Sequence, residues 1–130
     1  MAVDGMGAAL VAKLEEIQEA MFTKAKTARD EHVVKVTEWK DFVPNLEKHN
    51  LVLTPWCGGE YEDWEEHVKD KSREESLQAL GEDVEDEQTS TSVAAKTLCI
   101  PFDQPELPPG TKCLVSGMDA TCWVLWGRSY

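Results

Sequence analysis

The chain has 130 residues, 42 % of them hydrophobic and 29 % charged, with a formal net charge of −12. That length suits one domain with one modest core. The acidic balance argues against a general nucleic-acid binder, which needs a basic stripe to release phosphate counterions, and against docking on an anionic membrane. No apolar run approaches the roughly 18–20 residues of a spanning helix, and Met1-Ala2-Val3-Asp4-Gly5 has neither the basic nor the apolar region of a secretory leader, so none is expected.

Residues 1–9 read as a disordered start, because Gly5 and Gly7 weaken any helix there. From 8 to 30 the pattern is helical. Leu10, Leu14, Ile17, Met21 and Ala25 recur at spacings of four, three, four and four, and Val11 and Phe22 widen the stripe. Such a stripe is expected to pack against a core. Residues 33–36 read as a short β-rich strand. Thr37 then suits the N-cap of a second helix, with Trp39, Phe42, Val43 and Leu46 on one face. Pro44 opposes that helix, since it removes the bond to the Lys40 carbonyl at a cost of ~3 kcal/mol. A bend over 40–44, or two short turns, is expected. Leu51-Val52-Leu53-Thr54 reads as a strand stopped by Pro55, and Trp56-Cys57-Gly58-Gly59 as a turn.

A third helix is expected over 60–78. Its first turns hold Glu60, Glu62, Asp63, Glu65 and Glu66, and Lys69, Lys71 and Arg73 follow, a polarity that suits the helix dipole. Tyr61, Trp64 and Val68 share a face, and the apolar pattern fades beyond them. The charge is concentrated here: residues 60–87 carry thirteen acids and three bases, −10 of the −12. Residues 81–92 hold too little apolar surface to offset the entropy of ordering and read as a mobile acidic loop. A solvated spacer is the plain reading, and an acidic docking site the alternative.

Residues 94–100 read as a strand, and Pro101, Pro105, Pro108, Pro109 and Gly110 as a rigid loop. Residues 112–115 and 121–126 read as a hairpin about a five-residue turn, 116–120. The sum is a mixed α/β (α+β) fold, a small mixed sheet packed with about three helices.

Little chemistry is visible. The glycines never form a phosphate-cradling pattern, and no G-x-S-x-G elbow exists. His32, His49 and His67 lack ligand spacing and read as surface or cap residues. Cysteines stand at 57, 99, 113 and 122 with no Cys-x-x-Cys pair, so free thiols in a reducing compartment are expected. Cys57 precedes a helix start, a setting that lowers a thiol pKa, but the adjoining acids oppose a thiolate. The carboxylates of 60–66 read as a solvated helix face.

Five segments carry a resemblance: Ile17-Gln18 through Lys24-Ala25-Lys26; Val36-Thr37-Glu38-Trp39-Lys40-Asp41-Phe42; Leu51-Val52-Leu53-Thr54-Pro55-Trp56-Cys57; Ala94-Ala95-Lys96-Thr97-Leu98-Cys99-Ile100-Pro101-Phe102; and Trp126-Gly127-Arg128-Ser129-Tyr130. The pieces Ala95-Lys96-Thr97-Leu98-Cys99 and Gly127-Arg128-Ser129-Tyr130, in this order, are the specific ones; the first helix alone is not. Over residues 10–130 the chain resembles the C-terminal appendage domain of the eukaryotic and archaeal type of prolyl-tRNA synthetase, with the acidic loop as an insertion. The resemblance implies a cytoplasmic class II synthetase that activates proline with ATP and magnesium and charges tRNA. It implies partners in the catalytic and anticodon-binding domains of the same enzyme, and a homodimer formed through the catalytic domain. Class II ATP-binding motifs do not occur in this chain, so it is not expected to catalyse alone or to need a cofactor of its own. An acidic interaction module that docks a basic partner through 60–87 is the competing reading.

Many members of that family hold zinc with four cysteines in this domain. The resemblance places Cys57 at the first ligand position, Glu62 at the second and Cys113 at the third, with Val115 and Ser116 where the last thiol is needed. Two of four ligands are missing, so the zinc site is degenerate and no bound zinc is expected. The resemblance also implies that the terminal tyrosine, Tyr130, reaches back toward the active site, where its carboxylate supports catalysis.

Overall fold

In the computed structural model, residues 3–60, 62–81 and 92–129 are described, and the chain divides into two units, Met1–His32 and Val33–Tyr130.

The first unit is one helix, α1 (Met6–Glu31), entered through a 3-10 turn at Val3–Gly5. The disorder expected over 1–9 is therefore not found from Val3 onward. Gly7 costs about 1 kcal/mol relative to alanine, too little to stop a helix that Ala8 and Ala9 favour. Lys26 and Arg29 both hydrogen-bond Asp30, and those bonds hold its carboxyl below the usual carboxylate range. His32 closes the helix, its Nδ1 lying 2.8 Å from the Ala28 carbonyl. The stripe expected to pack in a core is not buried: none of the residues of α1 is, and Leu14 is 66 % exposed. A lone helix has no facing element within its own unit.

Among its described residues the second unit holds four strands and two helices: β1 (Val33–Lys35), α2 (Trp39–Glu47), β2 (Leu51–Trp56), α3 (Glu62–Leu80), β3 (Lys96–Cys99) and β4 (Cys122–Gly127). The sheet order is β1-β2-β4-β3. Strands β1 and β2 run parallel, with α2 as the crossover, and β4 is antiparallel to both β2 and β3. Three helices and a four-stranded mixed sheet make the α+β fold that the sequence predicts.

Four local expectations are corrected. The N-cap of α2 is Glu38 rather than Thr37, and it makes no side-chain cap bond. Second, α2 runs unbroken through Pro44. Phe42, Val43 and Leu46 are buried, each worth about 1.5–3 kcal/mol, and together they outweigh the proline. Third, Pro55 lies inside β2, in register with Trp123. The Leu53 carbonyl faces Val36 beside β1, so Pro55 two residues on faces the same way, past the end of β1. Its missing N–H is not needed for the ladder to β4.

Fourth, the hairpin between 112–115 and 121–126 does not form. Strand β4 buries Trp123, Val124 and Trp126 and takes the sheet interior instead. Residues 111–120 close on themselves through a Lys112–Asp119 bridge and a Cys113 N–H bond to the Met118 carbonyl at 2.8 Å, with Gly117 at φ 71°. This loop docks on the end of β2 through Leu114 N–H to the Pro55 carbonyl and Thr121 N–H to the Trp56 carbonyl. The acidic loop expected over 81–92 lies, for residues 82–91, outside the described residues.

The core centres on Trp126, which is fully buried. Its ring meets Phe42 and Trp56 edge-on at 5.7 and 5.3 Å, and its indole N–H donates to Thr54 Oγ1 at 2.9 Å. Helix α3 presents Val68, Ser72 and Ser76 inward. Ser72 Oγ accepts the Ala95 N–H at 2.9 Å, which ties α3 to the start of β3. Helices α2 and α3 are joined by Trp39 Nε1 donating to Glu75 at 2.8 Å and by Lys71 over the Trp39 ring at 4.2 Å.

Candidate functional site

Two clusters collect the chemistry-bearing residues. The first is a pair of thiols. Cys57 follows the last residue of β2, and Cys113 opens the loop that docks there; they are 7 % and 5 % exposed. Burial pushes the Cys57 thiol up, helped by neighbouring Cys113 and opposed by the Ser116 hydroxyl. Burial also works against ionised Cys113, but the Ser116 hydroxyl and the backbone N–H groups of Ser116, Val115 and Cys57 outweigh it and hold that thiol low. The cluster is thus Cys57, Cys113 and Ser116.

The expected ligand set is only partly brought together. Ser116, not Val115, supplies the side chain at the last position; Val115 supplies its N–H and packs its side chain against the core. Glu62, the first residue of α3, is exposed and faces a cleft of about 520 Å³ lined also by Glu65, Glu66, Lys69, Lys96 and Thr97. Among the described residues no three cysteine, histidine or acidic side chains gather to hold a metal. Two thiols and a hydroxyl do not supply the four donors of a structural zinc site, so these residues do not fit the group that the resemblance implies. Cys99 is exposed, and Cys122 Sγ lies 3.9 Å from the Trp56 carbonyl, so neither completes the set.

The second cluster anchors the C-terminal tail. At Gly127 an added Cβ would lie 3.0 Å from both Leu51 Cδ2 and Leu98 Cδ1, so the residue lets the strand end pass between two leucines. Arg128 Nη2 donates to Glu47 Oε1 and to Ser76 Oγ, both at 2.7 Å, and its side chain is 7 % exposed. The hydrogen bond from Arg128 holds the Glu47 carboxyl below its ordinary range. Lys96 Nζ donates to Ser129 Oγ at 2.9 Å. Tyr130 lies outside the described residues.

The histidines do not converge. His32 caps α1, His49 takes φ 61° where α2 ends, and His67 meets the Trp64 ring edge-on at 5.7 Å. The carboxylates of 60–66 lie at the exposed start of α3, where Glu65 accepts a bond from Thr97 Oγ1.

Sequence reasoning missed the Glu47–Arg128–Ser76 clamp. Its one signal was the spacing of four in Val68, Ser72 and Ser76, a helix face of which two members are polar. It named Ser116 only as a place where a thiol is lacking, not as the hydroxyl that bonds toward Cys57 and Cys113 just before a left-handed glycine.

Comparison with known proteins agrees with the resemblance. Residues 39–130 match the family described as "Prolyl-tRNA synthetase, C-terminal". A putative proline–tRNA ligase of Saccharomyces cerevisiae is 44 % identical over 117 residues, covering 90 % of this chain and 16 % of the relative. The cytoplasmic proline–tRNA ligase of Arabidopsis thaliana is 42 % identical over 117 residues, covering 90 % of this chain and 19 % of the relative. A bifunctional glutamate/proline–tRNA ligase of Drosophila melanogaster is 39 % identical over 126 residues, covering 92 % of this chain and 6 % of the relative. The chain therefore spans less than a fifth of the length of these relatives.

Proposed function

The chain belongs to the prolyl-tRNA synthetase C-terminal domain family, and from that premise we propose that it supports the catalytic core of a proline–tRNA ligase without catalysing by itself. The observation that carries this reading is the match over 39–130 to a domain that, in the named relatives, accompanies several times its own length of chain. ATP, magnesium, proline and tRNA belong, on this reading, to the rest of the enzyme, and so does the homodimer contact. A cytoplasmic location is supported by the Arabidopsis relative, which is named cytoplasmic. No helix among the described residues is long and apolar enough to cross a membrane.

The active contribution is assigned to Tyr130. A terminal carboxylate has an unperturbed pKa of ~3.5 and is a fixed negative charge at neutral pH. Delivered to the catalytic domain, it orients the cationic groups there. The test is made in the full-length enzyme, with Tyr130 removed in one variant and residues appended after it in another. Both changes are expected to lower proline-dependent ATP–pyrophosphate exchange while the melting temperature hardly moves. Exchange at the parent rate in both variants would refute a catalytic role for the terminus.

A further inference from the structure

We propose that Arg128 is a positioning residue for the C-terminal tail: clamped between Glu47 on α2 and Ser76 on α3, it holds the path of residues 127–129, from which Tyr130 follows. This rests on the reading of Tyr130 above and adds the device that aims it.

The geometry is specific. One guanidinium nitrogen, Nη2, bonds two acceptors at 2.7 Å, and they stand on different helices. Gly127 holds the strand end between Leu51 and Leu98, and Lys96 takes Ser129 from β3. The tail is thus fixed by α2, α3, β2 and β3 within three residues. A terminus needing only to be tidied away has no use for so many contacts, because chain ends that do no work are usually left loose.

The energetics point the same way. Arg128 is 7 % exposed, and its Nε is buried with no hydrogen-bond partner among the described residues. A buried donor left unpaired works against stability, and a buried ion pair is often no more stabilising than well-packed apolar groups. Glu47, the acid of the pair, is 45 % exposed, so solvent weakens the attraction further. What the arrangement supplies is direction. The planar guanidinium sets the angle between its acceptors, which a lysine ammonium does not.

The test uses the full-length enzyme and six changes: Arg128→Lys, Arg128→Ala, deletion of Tyr130, Arg128→Ala combined with that deletion, Glu47→Gln and Glu47→Leu. Each is read by kcat and KM in proline-dependent ATP–pyrophosphate exchange and by thermal unfolding. Both Arg128 variants are expected to lower kcat about tenfold to a hundredfold, the cost of a group misplaced by about an ångström, with KM for ATP and proline little changed. The combined variant is expected to be no slower than the Tyr130 deletion alone, because the clamp then has nothing to aim. Glu47→Gln, which keeps an acceptor for Arg128, is expected to retain most of the activity, whereas Glu47→Leu is not. If deleting Tyr130 lowers kcat but the Arg128 variants do not, or if the two losses multiply, the positioning role is refuted. If deleting Tyr130 changes nothing, the reading of the terminus itself fails, and the clamp's role falls with it.

Discussion

The bond between Trp126 and Thr54 ties two neighbouring strands through the centre of the core, and it can be isolated by a double-mutant cycle. Thr54 is fully buried and its Oγ1 is 2.9 Å from the indole nitrogen. Thr54→Val keeps the shape and the strand preference but leaves the indole N–H without a partner, at a cost of about 1–3 kcal/mol. Trp126→Phe removes the same bond and also shrinks a side chain that packs on Phe42 and Trp56. Its cost is about 2–4 kcal/mol, somewhat below a full truncation to alanine. The double variant removes both polar partners together, so the unpaired-group penalty is charged in neither direction. It should be more stable than the sum of the single changes by about 1–2 kcal/mol. For a unit of this size each kcal/mol is roughly 4–8 °C in Tm. Urea unfolding followed by far-UV circular dichroism is the assay, since fluorescence changes with the tryptophan itself. Single-variant losses that add to within about 0.3 kcal/mol would refute the coupling.

Gly127→Ala should destabilise by about 1 kcal/mol, because the new methyl sits 3.0 Å from two leucine side chains that must yield; calorimetry showing an unchanged Tm would contradict that crowding. Because the folded-state pKa of Glu47 is depressed below 4.5, the stability it lends is complete above that value and is lost as pH falls through the depressed one. The stability gap between the parent and Glu47→Gln should therefore narrow on acidification below about pH 4.5, and a gap that is constant from pH 7 to pH 3 would show that Glu47 is not held by Arg128. The purified chain should carry no tightly held zinc, since Ser116 and Glu62 stand where thiols are needed; elemental analysis giving one zinc per chain would overturn this.

The elements that were legible in the sequence are those whose periodicity is apolar. Leu10 through Ala25 marks α1, and Phe42, Val43 and Leu46 mark α2 despite Pro44, because local pattern and burial agree there. Pro55 misled because a proline is excluded only from ladder positions that must donate, and sequence does not show which side of β2 lacks a partner. The hairpin misled because two neighbouring β-rich runs pair only if nothing better is available; β4, apolar on both faces, found β2 and β3 instead. Ser72 and Ser76 were invisible as core residues because each is buried through a hydrogen bond that it accepts, one from Ala95 N–H and one from Arg128, contacts made across 23 and 52 residues of chain. The clamp at the terminus was unreadable for the same reason. Cys57 and Cys113 were found as a pair only through the resemblance; their spacing says nothing of the loop that brings them together.

The central claim is that this domain serves a proline–tRNA ligase without being its catalyst. The most direct measurement is proline-dependent ATP–pyrophosphate exchange by three proteins: this chain alone, the full-length enzyme, and the enzyme truncated before Val33. The account predicts no exchange by the chain alone, full exchange by the intact enzyme, and a large loss on truncation with the remaining domains still folded. A truncated enzyme that runs at the parent rate, or an isolated chain that supports exchange itself, would contradict it.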